Sequence, residues 1–192
     1  MTLDSALEAL LNSRFSCRAF LPDPVPWPVI ARVLRLAQRT ATWCNTQPWH
    51  LEYRGIYLDR RREAGFSLYQ MLGIARSDTA TRDAQLLENY RFSAAPHVVF
   101  VTSDEALRTY GAVDCGAYVA NFLLAAQACG LSAIAPAAPA RYSDFLRDYL
   151  GFGADRLFVC GLSLGYGDTA HRANTFGTDR ADPETCVTWV TE

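Results

Sequence analysis

The sequence has no lysine: all 18 of its basic residues are arginine. That absence excludes Schiff-base chemistry on the protein and the lysine of a phosphate-binding P-loop. An anion site survives the loss, because the planar guanidinium is the better partner for forked contacts with phosphate. Histidine is scarce, with only His50, His97 and His171. None forms HExxH or a close ligand cluster, which leaves zinc without a ligand set. GxSxG is missing, and no serine has an evident His and Asp arrangement. With no nucleophile in view, an enzyme made of these residues would draw its chemistry from a cofactor. Strong charge of either sign is also lacking, the net charge being -2 and the pI about 5.9, so neither nucleic acid nor an anionic membrane is favoured as a partner. The longest apolar run, about Val113–Cys129, contains Asp114, Asn121 and Gln127; it reads as a buried helix rather than a membrane span. MTLDSALEALL carries acids and no basic n-region, so no signal peptide is expected there.

What is present suits one domain over residues 1–192, half of them hydrophobic and sufficient for a core. Six cysteines, at 17, 44, 115, 129, 160 and 186, form no CxxC. Most lie in apolar stretches and are expected to be buried, reduced thiols of a cytoplasmic protein. Leu3, Leu7, Leu10 and Leu11 recur at helical spacing, with Ser5 and Glu8 placed like a capping box. After the stiff stretch holding Pro22, Pro24, Pro26 and Pro28, a helix is predicted to about Arg39, with Ile30, Val33, Leu34 and Ala37 on one face. RDAQLLENY reads as helical and HVVFVT as a buried strand. The long helix Val113–Cys129 ends at Gly130, and LSAIA comes next as a strand. SDFLRDYL is a short amphipathic helix closed by Gly151, LFVCGLSL a third strand and CVTWV a fourth. Strands separated by helices suggest a layered α/β or α+β domain.

Three stretches could carry a site. Arg14, Ser16 and Arg18 place two guanidinium forks and a hydroxyl within five residues, a set able to clamp one phosphate; an ordinary arginine-rich surface is the other reading. In TWCNTQPWH, Asn45 and Gln47 are amides that donate and accept together, as the edge of a heterocycle with C=O and N–H requires. A polar turn anchored by Trp43 and Trp49 explains them equally well. Gly165, Gly167 and Ala170 match a loose G-x-G-x-x-A after a strand. The adjoining HRANTFGTDRADPE has no apolar period, so a dinucleotide fingerprint is rejected and these are read as flexible turn glycines. Arg180 in the same tail could return to an anion site.

Two of these stretches resemble segments of the nitroreductase-like flavoproteins. SRFSCRAF is similar to their Arg-x-Ser-x-Arg-x-Phe segment, and TWCNTQPWH to their Pro-Ser-x-x-Asn-x-Gln-Pro-Trp segment. NYRFSAAPHVVFVT, GAVDCGAYVANFLLAAQACGLSAIAPAA and LFVCGLSLGYGD resemble, in order, the approach to a central strand, the long core helix and the late strand. The resemblance covers nearly the whole chain. It implies an α+β, nitroreductase-like fold with a mixed, mostly antiparallel sheet flanked by helices and a long buried helix at a homodimer interface. It also implies FMN, held by Arg14, Ser16 and Arg18 at its phosphate and polar flavin edge. Asn45 and Gln47 would lie at the ring, main chain near Pro136, Ala137 and Ala138 against the flavin, and Arg180 at the phosphate. The implied reaction is hydride transfer from NADH or NADPH through flavin N5 to a small planar acceptor such as a nitroaromatic or quinone, with no side chain acting as acid or base. Three departures are visible. Ala41-Thr42 stands where the family has Pro-Ser; Pro139 lacks the N–H that position would donate, leaving Ala138 to do so; and WHLEY passes into RGIYLDRRREAG without a segment of about 30 residues usual in the resemblance. The shortened junction and Pro139 motivate a second class of function, a flavin-binding or interaction protein with little turnover.

Overall fold

The computed structural model describes residues 2–37, 39–41, 68–136, 138–175, 177 and 182. Helix α1 spans Leu3–Ser13 and α2 spans Trp27–Ala37. Residues 68–71 form a helical turn; α3 spans Thr79–Leu87, β1 His97–Asp104 and α4 Arg108–Ala128. Strand β2 is Ser132–Ile134, α5 Ser143–Leu150 and β3 Arg156–Gly165. The expected strand CVTWV lies outside the described residues.

The helices form largely where apolar spacing places them, but their starts are set by polar groups. Thr2, not Ser5, caps α1: its hydroxyl accepts the Ser5 N–H, so the expected Ser5–Glu8 box does not operate. One side-chain oxygen satisfies an orphan donor at this end, and Thr2 sits three residues before the N–H it serves. Helix α4 begins at Arg108, a turn and more before Val113. The added turn, Arg-Thr-Tyr-Gly-Ala, has no apolar run, and β1 delivers the chain to that start through the turn Glu105–Leu107. Gly130 and Gly151 stop α4 and α5 at φ of 75° and 70°, the left-handed region that glycine enters without a Cβ penalty.

The strands pair in the order β1-β3-β2, both pairs antiparallel. The parallel element expected of a mixed sheet appears as an isolated bridge between Ser16 and Ala133, which adds the Arg14–Arg18 segment beyond β2. Central β3 is buried from Phe158 to Gly165, as a strand covered on both faces must be. Its large residues Cys160, Leu162 and Leu164 join a core with Val33, Ala37, Phe122 and Ala126. Its small residues Gly161, Ser163 and Gly165 face the approach to β1. There the Phe92 ring occupies the notch that a Cβ on Gly161 would fill, and the Ser163 hydroxyl donates to the Phe92 carbonyl at 3.0 Å. Phe92, Ser93 and Ala94 all have φ between 54° and 56°, a left-handed turn of three non-glycine residues that costs about 1–2 kcal/mol per residue. A bulge at Val101/Thr102 reverses the alternation of β3. Phe158 thereby reaches Phe100, with ring centroids 5.9 Å apart.

Candidate active site

Arg14 leaves α1 in extended conformation, φ -71° and ψ 129°, its N–H still donated to the Leu10 carbonyl. Ser16 then bridges Ala133, and the Cys17 N–H donates to the Ala133 carbonyl at 3.3 Å. In extended chain alternate residues share a side. Cys17 is wholly buried, whereas Arg14 to Ser16, Arg18 and Ala19 are half-buried. The Arg18 guanidinium reaches back to the Ser16 carbonyl at 3.0 Å. Arg14, Ser16 and Arg18 thus stand at i, i+2 and i+4 of one edge segment, residue types that carry the donors an anion takes. Burial lowers the Arg18 pKa, with the neighbouring Cys17 opposing it; the group stays charged, since guanidinium does not deprotonate in proteins.

Beyond Phe20 the same segment is tied to the end of β3. Phe20 bridges Gly167, flanked by Leu21 N–H to the Tyr166 carbonyl at 2.7 Å and Asp168 N–H to the Ala19 carbonyl at 3.0 Å. A Cβ on Gly167 would stand 2.7 Å from Ser132 Oγ and 3.1 Å from Cys17 Sγ; one on Gly165 would stand 2.8 Å from Pro96 Cδ. The expectation of flexible turn glycines is therefore corrected. Neither position has a left-handed φ; at both, neighbouring segments approach so closely that an added Cβ would force them to shift. Past Gly167 the chain enters a short 3₁₀ turn at Arg172–Thr175. A dinucleotide fingerprint would require a helix at that point, so its rejection agrees with the fold.

Strand β2 runs through Ala135 into buried Pro136, and Ala138 opens the 3₁₀ turn Ala138–Tyr142, in which Pro139 is buried. The Arg14–Arg18 and Pro136–Ala138 candidates thus leave the same sheet edge. Asn45, Gln47, Ala137 and Arg180 lie outside the described residues. A few residues before Asn45 in sequence, the Thr40 hydroxyl donates to the Ala37 carbonyl and accepts from Asn121 Nδ2, both at 2.7 Å.

Two structural residues, Asn174 beside this edge and His97 on β1, carry no signal in the sequence. Asn174 accepts the Arg18 N–H and donates to the Ala19 and Asp168 carbonyls; it sits in a tail without apolar period, where no pattern marks it. His97 accepts the Val25 N–H at Nε2 at 2.8 Å, one of the few donors in the proline-rich stretch. His171 accepts the Ala173 N–H. Both imidazoles are structural acceptors. The thiols at 17, 115, 129 and 160 are free. Burial pushes Cys17 and Cys115 up and Cys160 up to about 12, which removes thiolate nucleophiles from these positions. Among the described residues no His/Cys/Asp/Glu group could hold a metal, and no helix is long and apolar enough to cross a membrane.

Comparison with known proteins agrees with this architecture. The family model for the nitroreductase family matches residues 11–166. Nitroreductase NfnB of Mycolicibacterium smegmatis is 30% identical, over 93% of this chain and 90% of its own length. A 4-nitrobenzoate reductase of Nocardioides sp. is 30% identical over 96% of this chain and 90% of its own. The NfnB alignment runs over 212 positions against the 192 residues here, so the relative carries internal residues without a counterpart in this chain. Among solved structures, the FMN-dependent nitroreductase NfnB from Mycobacterium smegmatis in complex with NADPH superposes with a TM-score of 0.90 at 29% identity, covering 99% of this chain and all of the other. Matched over most of its length by the family model and over nearly all of it by relatives of the same fold, the chain belongs to the nitroreductase family.

Proposed function

We propose that residues 1–192 form one FMN-binding domain that acts as an NAD(P)H-dependent oxidoreductase toward nitroaromatics and quinones. The observation that supports it is the placement of Arg14, Ser16 and Arg18 on a sheet edge shared with Pro136–Ala138. This donor set fits a phosphate and a flavin edge: two cationic forks and a hydroxyl on one side, main chain on the other. When bound, FMN would supply the hydride acceptor and electron carrier that the polypeptide lacks. Arg14, Ser16 and Arg18 bind and orient it; Asn45, Gln47, Ala137 and Arg180 complete the candidate site. His97 and His171, held by structural hydrogen bonds, and Cys17, Cys115 and Cys160, held by burial, stay out of the chemistry. NADPH in the structure of the Mycobacterium smegmatis relative supports NADPH as donor, and the 4-nitrobenzoate reductases support a nitroaromatic acceptor.

The proposal includes a homodimer. On α4, Tyr110 and Val113 are 54% and 64% exposed, and the small residues Gly116, Ala117 and Ala120 continue an open stripe. A helix apolar on more than its core face requires a second surface to cover it. The free thiols accord with a cytoplasmic setting. With a segment usual after Trp49 missing from the sequence, small and bulky quinones are expected to be reduced with little discrimination. Anaerobic stopped-flow absorbance of the FMN-loaded protein, mixed with NADH or NADPH and then with a nitroaromatic and quinone panel, tests the reading. Bleaching followed by reoxidation is the expected result. Bound FMN that neither nicotinamide bleaches leaves a flavin-binding protein without this activity, and preference for one small acceptor removes the broad acceptor range alone.

A further inference from the structure

Asn174 uses its carboxamide on three main-chain groups of two separate segments. Its Oδ1 accepts the Arg18 N–H at 2.6 Å, and its Nδ2 donates to the Ala19 carbonyl at 2.8 Å and the Asp168 carbonyl at 2.7 Å. Both amide donors and the oxygen are engaged, and only this orientation of the group matches one N–H and two carbonyls. The turn that presents it is itself anchored. Asn174 N–H bonds the His171 carbonyl, Ala173 is buried, Thr175 Oγ1 donates to the Arg172 carbonyl at 2.9 Å, and Arg172 Nη2 donates to the Met71 carbonyl at 2.7 Å. The Ala19 carbonyl takes further bonds from the Asp168 N–H and from Cys17 Sγ, each at 3.0 Å. The peptide before Arg18, through the Arg18 N–H, and the peptide after Ala19, through the Ala19 carbonyl, are therefore both held from outside their own segment.

We propose that Asn174 is a positioning residue that sets the backbone at Arg18 and so aims its guanidinium at bound FMN; this rests on reading Arg18 as part of the FMN site. The long Arg side chain has many rotamers, and a fixed backbone removes the largest lever on where its head falls. Displacements of about 1 Å are costly at a site that works by geometry.

The test is a double-mutant cycle on FMN affinity, read by quenching of flavin fluorescence on titration into apoprotein. Asn174→Ala should weaken FMN binding about tenfold, the scale of one to two lost hydrogen bonds. Arg18→Ala should weaken it at least as much. The double variant should be no weaker than Arg18→Ala within about twofold, because Asn174 has no guanidinium left to aim. Amide exchange at Arg18 should accelerate in Asn174→Ala whether or not FMN is bound. If the two effects multiply in the double variant, Asn174 acts on the fold at large and the proposal is overturned. If Asn174→Ala binds FMN normally while Arg18→Ala does not, it is overturned as well. Unchanged affinity in Arg18→Ala overturns the reading of Arg18 itself, and the proposal with it. Should Asn174→Ala not yield folded apoprotein, Asn174→Gln carries the same cycle, since it keeps the amide but displaces it by one methylene.

Discussion

Gly167→Ala is a small perturbation that should move the candidate site as a unit. The added Cβ would lie 2.7 Å from Ser132 Oγ, 3.1 Å from Ser132 Cβ and 3.1 Å from Cys17 Sγ. Rotation of the Ser132 hydroxyl relieves the first contact, but not the second, which belongs to the start of β2. Cys17 is wholly buried and its thiol is engaged with the Ala19 carbonyl, so the third contact yields only if the Arg14–Phe20 segment shifts. Overpacking of this kind costs about 1–3 kcal/mol. The same shift loosens the Phe20–Gly167 bridge and moves Arg18, so FMN affinity should fall together with stability. Urea unfolding of the apoprotein, monitored by circular dichroism, measures the first effect. The contact with Ser132 supplies an internal control: Ser132→Ala alone should cost about 1 kcal/mol for a lost polar contact, whereas Gly167→Ala/Ser132→Ala should cost less than the sum of the two. A Gly167→Ala variant within about 0.5 kcal/mol of the parent, or strict additivity with Ser132→Ala, would refute the account of close packing at this edge.

Three further outcomes are expected. Val113→Arg, on the open stripe of α4, should turn the proposed dimer into a monomer at micromolar concentration in sedimentation velocity while leaving the monomer fold intact; a dimer that persists removes this face from the interface. His97→Leu keeps the bulk but leaves the buried Val25 N–H without its acceptor, so stability should drop by about 1–3 kcal/mol in urea titrations, and an unchanged midpoint would show that water or another acceptor replaces the imidazole. Burial pushes the Cys160 thiol up from its ordinary value of 9.0 to about 12, so the folded protein keeps a proton that the unfolded chain releases. This contribution to stability is complete below about pH 9 and is lost as pH rises towards 12. Cys160→Ala should accordingly flatten the decline of stability measured from about pH 8.5 to 10.5, and identical slopes in both proteins would contradict it.

Much of the scaffold was legible because it depends on local order. Ile30, Val33 and Ala37 recur at helical spacing and are buried, and LFVCGLSL reads as a strand, which is the central one and buried on both faces. Gly151 ends its helix at the residue where a left-handed conformation is needed. Helix starts were less legible: one threonine hydroxyl decides α1, and α4 begins in a polar turn. Arg14, Ser16 and Arg18 were visible as residue types, and the Ser16 bridge explains their arrangement, since a strand edge brings alternate residues to one side.

The sequence by itself determined the chemistry available: arginine as the only strong cation, no hydrolytic nucleophile motif, and apolar patterns sufficient for the helices and strands. Those come from composition and from spacings of two to four residues, which any chain of these letters would carry. Only the tertiary structure decided that Gly165 and Gly167 are sites of close approach, that Phe92–Ala94 is forced into a left-handed turn over Gly161, and that Asn174 holds Arg18. The Asn174–Arg18 bond spans 156 positions, and no local propensity specifies a partner at that distance. It exists because closing the sheet edge brings both segments together, and a polar group brought there must find a partner or remain buried without one.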